Sequence, residues 1–122
     1  MPQTILVVDD NIDTRELLHL YLTQAGFTVM IAADGGEGLY RAKADRPNLI
    51  ITDINMPNLD GMAMIKQLRA EPAFARTPII ALTAYGKDFT DEAISAGATA
   101  TREKPFQFEE LVAQVQALLR PA

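Results

Sequence analysis

The sequence has no cysteine. Disulfides, thiol nucleophiles and thiolate zinc sites are thereby excluded together, and the absence agrees with a reducing compartment. Long apolar runs are also missing: the longest span only a few residues, far short of the about 20 that a membrane-crossing helix needs. The first residues, Met1-Pro2-Gln3-Thr4, carry neither the basic region nor the cleavage site of a secretory signal, so the expected location is cytoplasmic, with no membrane contact. Nor is there a basic stripe. The 11 Lys and Arg are scattered among 16 Asp and Glu, and the net charge of −5 points away from direct nucleic-acid binding. No internal repeat and no linker composition is visible.

What remains is ordinary for a globular protein, with 48% apolar and 22% charged residues. The 122 residues suffice for one domain, residues 1–122, able to bury about two-thirds of its unfolded surface. Ile5-Leu6-Val7-Val8 reads as a buried strand ending at Asp9-Asp10. From Asn11 onward Leu17, Leu18, Tyr21, Leu22 and Ala25 recur at helical spacing until Gly26. Phe27 to Ala32 reads as a second strand. Asp34, with Glu37 three residues later, has the form of a capping box opening a second helix. Gly35, Gly36 and Gly38 each cost that helix about 1 kcal/mol relative to alanine if interior, so it is expected to be the weakest and to fray in its first turn.

Leu49-Ile50-Ile51-Thr52 is apolar and β-branched, as a strand buried on both faces should be, and it stops at Asp53 before a loop containing Pro57, Asn58 and Gly61. Asp60 is placed to cap a third helix with Gly61, Ile65 and Leu68 facing inward, Met62 and Met64 at its flanks, and Pro72 as its stop. Pro78 to Leu82 is a fourth strand ending at Thr83, followed by a helix over Lys87 to Ala96 and a strand over Ala98 to Glu103. Phe108, Leu111, Val112, Val115, Leu118 and Leu119 form one stripe of a final helix. Strands alternating with helices, without hairpin signals, predict an α/β domain whose parallel sheet is covered on both faces.

In such a sheet the strand ends share one edge, where ligands bind. Asp9 and Asp10, Asp53, Thr83 and Lys104 all follow strands and so fall there. Neighbouring carboxylates repel unless a cation lies between them, and oxygen ligands at this density suit Mg2+ (or Mn2+). With a metal and an ammonium group beside it, Asp53 has the surroundings of a nucleophile toward a phosphoryl group.

These residues carry a resemblance. VVDDN at 7–11, TDINMPNLDG at 52–61, LTA at 82–84 and KPF at 104–106 resemble, in order and across the whole chain, the receiver domain of bacterial two-component response regulators. The resemblance implies a flavodoxin-like (βα)5 fold with strand order 2-1-3-4-5. It implies Asp53 as phosphoacceptor, Asp9 and Asp10 as the acids that hold the metal directly or through water, and a backbone carbonyl of Asn55 as a further ligand. Thr83 then bonds the phosphoryl group and Lys104 pairs with it. The implied donor is a phosphohistidine on a sensor histidine kinase or histidine phosphotransfer protein, and the output is a protein-binding surface around the last two strands whose downstream target the sequence does not name. The domain would catalyse its own phosphorylation and dephosphorylation without turning over an external substrate.

Two positions depart from the pattern. Thr101 stands three residues before the lysine, where many receivers have an aromatic, and Gln107 replaces a better cap for the last helix. Tyr85 is the nearest aromatic on the same edge and is expected to shield the site partly from water. Simpler readings lie beside these. Asp10 alone reads as a helix cap, Lys104 as a solvated charge, His19 as a surface or packing residue, and the methionines at 56, 62 and 64 as loop and core packing. An aspartyl-phosphate phosphatase is the competing enzyme class, but it typically has a second acid where Asn55 stands. A receiver kept only as a scaffold would have lost one of the five site residues, and none is lost.

Overall fold

The computed structural model describes residues 2–54, 60–83 and 87–120, with the side chains of residues 87 and 88 excepted. The short apolar runs form strands β1 (Thr4–Val8), β2 (Thr28–Ala32), β3 (Leu49–Asp53), β4 (Ile79–Thr83) and β5 (Ala100–Glu103). Between and after them lie helices α1 (Ile12–Gln24), α2 (Gly35–Asp45), α3 (Gly61–Arg69), α4 (Lys87–Ala96) and α5 (Phe108–Leu119). All pairings are parallel, and the sheet order is β2-β1-β3-β4-β5, as the resemblance implied. β1 and β3 are therefore neighbours, with Val7 opposite Ile51 and Val8 opposite Thr52.

Side chains along a strand alternate between faces, and the core is accordingly double. Leu6, Val8, Ile50, Ile79 and Ala81 pack on one side with Ala42 of α2, Met64, Ile65 and Leu68 of α3 and Ala93 of α4. Ile5, Val7, Ile51, Ile80 and Leu82 pack on the other with Leu18 and Leu22 of α1 and Leu111 and Val115 of α5. Every residue of β3 and β4 is buried, which is why those segments show continuous apolar runs rather than alternation.

Local signals act as expected at several helix starts. The Asp34 carboxylate accepts the Glu37 N–H at 2.9 Å and Asp60 accepts the Ala63 N–H at 2.8 Å, while Gln107 supplies no cap bond to α5. Other expectations need correction. The cap of α1 is Asn11, which accepts the Thr14 N–H at 3.0 Å, and Asp10 is left exposed in front of it. Met64 is fully buried rather than flanking, and Leu17 is 41% exposed, because adjacent helical residues point about 100° apart and Leu18 takes the inward direction. β5 begins at Ala100, two residues later than expected, since the Ala98 N–H still bonds Ala93 O of α4 at 3.0 Å. Pro72 follows the end of α3 and opens a 3-10 turn, Pro72–Phe74, which the pattern did not reveal. His19 is exposed.

Candidate functional site

β1 and β3 run side by side in the same direction, so the residues that follow them emerge together at one edge. Asp9 and Asp53 have the same parity as Val7 and Ile51, and both turn toward the face covered by α1 and α5. Asp9 has no exposed surface and Asp53 is 7% exposed. With the exposed Asp10 they form a group in which one carboxylate oxygen from each residue lies within 4.8 Å of those of the other two. Lys104, just beyond β5, closes the arrangement: its Nζ lies 3.1 Å from Asp53 Oδ2 and 3.5 Å from Asp9 Oδ2. One ammonium group thus serves two carboxylates, and the third faces solvent.

The backbone holds each acid in place. Asp9 Oδ1 accepts the Asn11 N–H at 2.8 Å, which turns the chain from β1 into α1. Burial pushes the Asp9 carboxyl above its ordinary value of 3.8, the Asn11 bond and the Lys104 charge pull it down, and the neighbouring Asp53 charge pushes it up. Behind Asp53, the Thr52 hydroxyl donates to the Asp53 carbonyl at 2.9 Å and the Gly61 N–H bonds Ile54 O at 2.9 Å. A Cβ at Gly61 would overlap the Asp53 carbonyl oxygen, so only glycine lets α3 begin this close to the strand end.

Thr83 ends β4 at the same edge, one residue past Leu82, the register partner of Asp53. It is buried, no hydrogen bond ties it to the acids, and its Oγ1 has no partner among the described residues. A buried hydroxyl without a partner calls for an explanation, and a ligand oxygen would supply one. Four of the expected site residues, Asp9, Asp10, Asp53 and Lys104, are therefore in one cluster, and Thr83 adjoins it through its carbonyl, which accepts the Lys104 N–H at 2.7 Å, while its hydroxyl bonds none of the acids. Asn55, Met56 and Pro57 lie outside the described residues, as does Tyr85. Thr101 lines an open cleft of about 460 Å3 along the outer side of β5 with Arg102, Glu103 and Gln107.

Sequence reading passed over Asn11 and Arg15. Asn11 acts through its backbone N–H, which leaves no trace in residue type. Arg15, whose Nη1 donates to the Asp9 carbonyl at 3.1 Å, is seen only once α1 is placed against the end of β1.

Three carboxylates within reach of one cation, all hard oxygen donors, fit Mg2+ and offer nothing to a thiophilic metal. Residues 5–116 match the family model of the response regulator receiver domain. The chain belongs to that family. Among relatives of this receiver, Response regulator MprA of Mycolicibacterium vanbaalenii is 42% identical over 123 residues, covering 98% of the chain and 52% of MprA. The chain therefore spans about half the length of that relative. The chemotaxis response regulator CheY4 of Vibrio cholerae superposes with a TM-score of 0.92 at 36% identity, covering 98% of this receiver and all of CheY4. The receiver domain of the sensor histidine kinase PA1611 from Pseudomonas aeruginosa PAO1 matches with a TM-score of 0.89 at 33% identity over 97% of this chain and 98% of that one; its structure has a magnesium ion coordinated in the active site cleft. A receiver is a phosphoacceptor switch of two-component signalling, and response regulators take their phosphoryl group from sensor histidine kinases. Among the described residues no helix is long and apolar enough to cross a membrane.

Proposed function

We propose that residues 1–122 act as one cytoplasmic receiver domain in which Asp53 accepts the phosphoryl group. The observation that carries this reading is the shared lysine. Lys104 Nζ lies within 3.5 Å of both Asp9 and Asp53, so one ammonium charge faces two buried carboxylates side by side at the ligand-binding edge of the sheet. Asp53 Oδ attacks the phosphorus of a phosphohistidine on a sensor histidine kinase or histidine phosphotransfer protein. The P–N bond breaks and the imidazole leaves with its electron pair.

Asp9, Asp10 and Asp53, joined by the Asn55 carbonyl, would hold Mg2+ (or Mn2+). Bound there, the cation neutralises phosphoryl oxygens during the transfer. Lys104 balances further negative charge as the acyl phosphate forms, and the unpartnered Thr83 hydroxyl donates to a phosphoryl oxygen. Attack of water on the same phosphorus returns Asp53 to its carboxylate, so the domain is catalyst and substrate of its own cycle and turns over no external phosphoester. Drawing Thr83 and Lys104 toward the new charge shifts the ends of β4 and β5, which form the surface offered to a downstream protein. These residues bind neither nucleic acid nor membrane directly.

Intact mass after incubation with Mg2+ and a small acyl phosphate tests the reading. A single phosphoryl adduct is expected on the wild type, absent with a chelator and absent in Asp53→Asn. An adduct of equal yield in Asp53→Asn contradicts it.

A further inference from the structure

Arg15 lies outside every motif of the site, yet it holds the site's most buried acid. It stands in the first turn of α1, where its N–H bonds Asn11 O at 3.0 Å, and its guanidinium turns back over the end of β1 to give the 3.1 Å bond to the Asp9 carbonyl. With that bond every polar group of Asp9 is engaged. The Asp9 N–H bonds Ala32 O at 3.1 Å, Oδ1 accepts from the Asn11 N–H at 2.8 Å, and Oδ2 meets Lys104 at 3.5 Å. Two of these partners are backbone groups and the third is the site's own lysine. Arg15 is the only side chain from outside the site among them.

The placement is costly for Arg15 itself. Its Nε is buried without a hydrogen-bond partner among the described residues, a state that persists where something else requires it. We propose that Arg15 is a positioning residue for the divalent-cation site: by holding the Asp9 carbonyl it fixes the Asp9–Asp10 peptide and so aims both carboxylates at Asp53. The inference rests on the reading of Asp9, Asp10 and Asp53 as cation ligands. Geometry and charge make opposite predictions here. A nearby guanidinium acting by charge alone repels a dication, so its removal would tighten binding; a positioning group, once removed, weakens it.

The test is calorimetric titration of the full chain with Mg2+, with the thermal midpoint of each metal-free protein measured alongside. The wild type is compared with Arg15→Met, which removes donor and charge, and Arg15→Lys, which keeps the charge but loses the planar fork. In Arg15→Met the dissociation constant for Mg2+ is expected to rise about tenfold or more, the size usual for loss of a group that orients a metal ligand. Arg15→Lys is expected to weaken binding by a smaller factor. Binding by folded Arg15→Met as tight as in the wild type, or tighter, overturns the inference, even if its thermal midpoint falls. Should Arg15→Met not fold, unchanged affinity in Arg15→Lys overturns it equally. Absence of Mg2+ binding by the wild type overturns the cation-site reading and this inference with it.

Discussion

Asp9 is fully buried, and burial of its carboxyl sets a stability cost that can be measured. Its pKa is raised in the folded state, chiefly by burial, so the native protein binds this proton more tightly than the unfolded chain does. As pH rises above the ordinary value of 3.8, the unfolded chain loses the proton first and stability falls; once pH passes the folded-state value, the full penalty is present. Asp9→Asn removes that penalty. With a chelator present, Asp9→Asn is expected to melt above the wild type at pH 7, the difference shrinking as pH falls toward 3.8. A lower midpoint at pH 7 would show that the bonds from Asn11 and Lys104 outweigh burial. The sequence made this cluster legible because strand ends in a parallel sheet share an edge. It did not reveal how Asp9 is held, since one contact is a backbone N–H and another comes from Arg15, on a helix face that carries no motif.

At the scale of elements, the glycines of α2 differ in what surrounds them. They were expected to weaken the helix, yet two of them answer different demands. A Cβ at Gly38 would come within 2.8 Å of Met64 Sδ and 2.9 Å of Val8 Cγ2, so this glycine lets α2 lie close against β1 and α3. At Gly36 the nearest atom to a Cβ would be Asp34 Oδ1 at 3.4 Å, which is tight but tolerable. Gly38→Ala is expected to lose about 1–2 kcal/mol to overpacking, despite alanine's better helix propensity. Gly36→Ala is expected to gain up to about 1 kcal/mol. Urea unfolding of both variants checks the pair; equal shifts of the same sign would refute the packing explanation. Periodicity had a limit at Met64 and Leu17. It located α3 and α1 correctly but left the inward direction of single residues uncertain by about one residue's rotation. The early start given to β5 failed because the turn after α4 consumes Ala98.

In the whole molecule, the alternation of apolar strands and amphipathic helices was enough for a parallel sheet covered on both faces. The order β2-β1-β3-β4-β5 was not readable from it, because pairing between β1 and β3 is non-local and no residue pattern records it. That order came from the family resemblance, and it makes the site: without β1 beside β3, Asp9 and Asp53 would not share Lys104. Far from that edge, Arg69 of α3 ties distant parts of the chain, donating to Gly97 O at 2.8 Å, Phe74 O at 2.6 Å and Thr99 Oγ1 at 3.2 Å. Which carboxylate at the strand ends forms the acyl phosphate has a direct chemical readout. Borohydride reduces an aspartyl phosphate to homoserine, so reduction after phosphorylation, followed by peptide mass mapping, marks the acceptor in place. Homoserine at position 53 alone is the predicted result; homoserine at position 9 or 10, or at none of the three, would contradict the account.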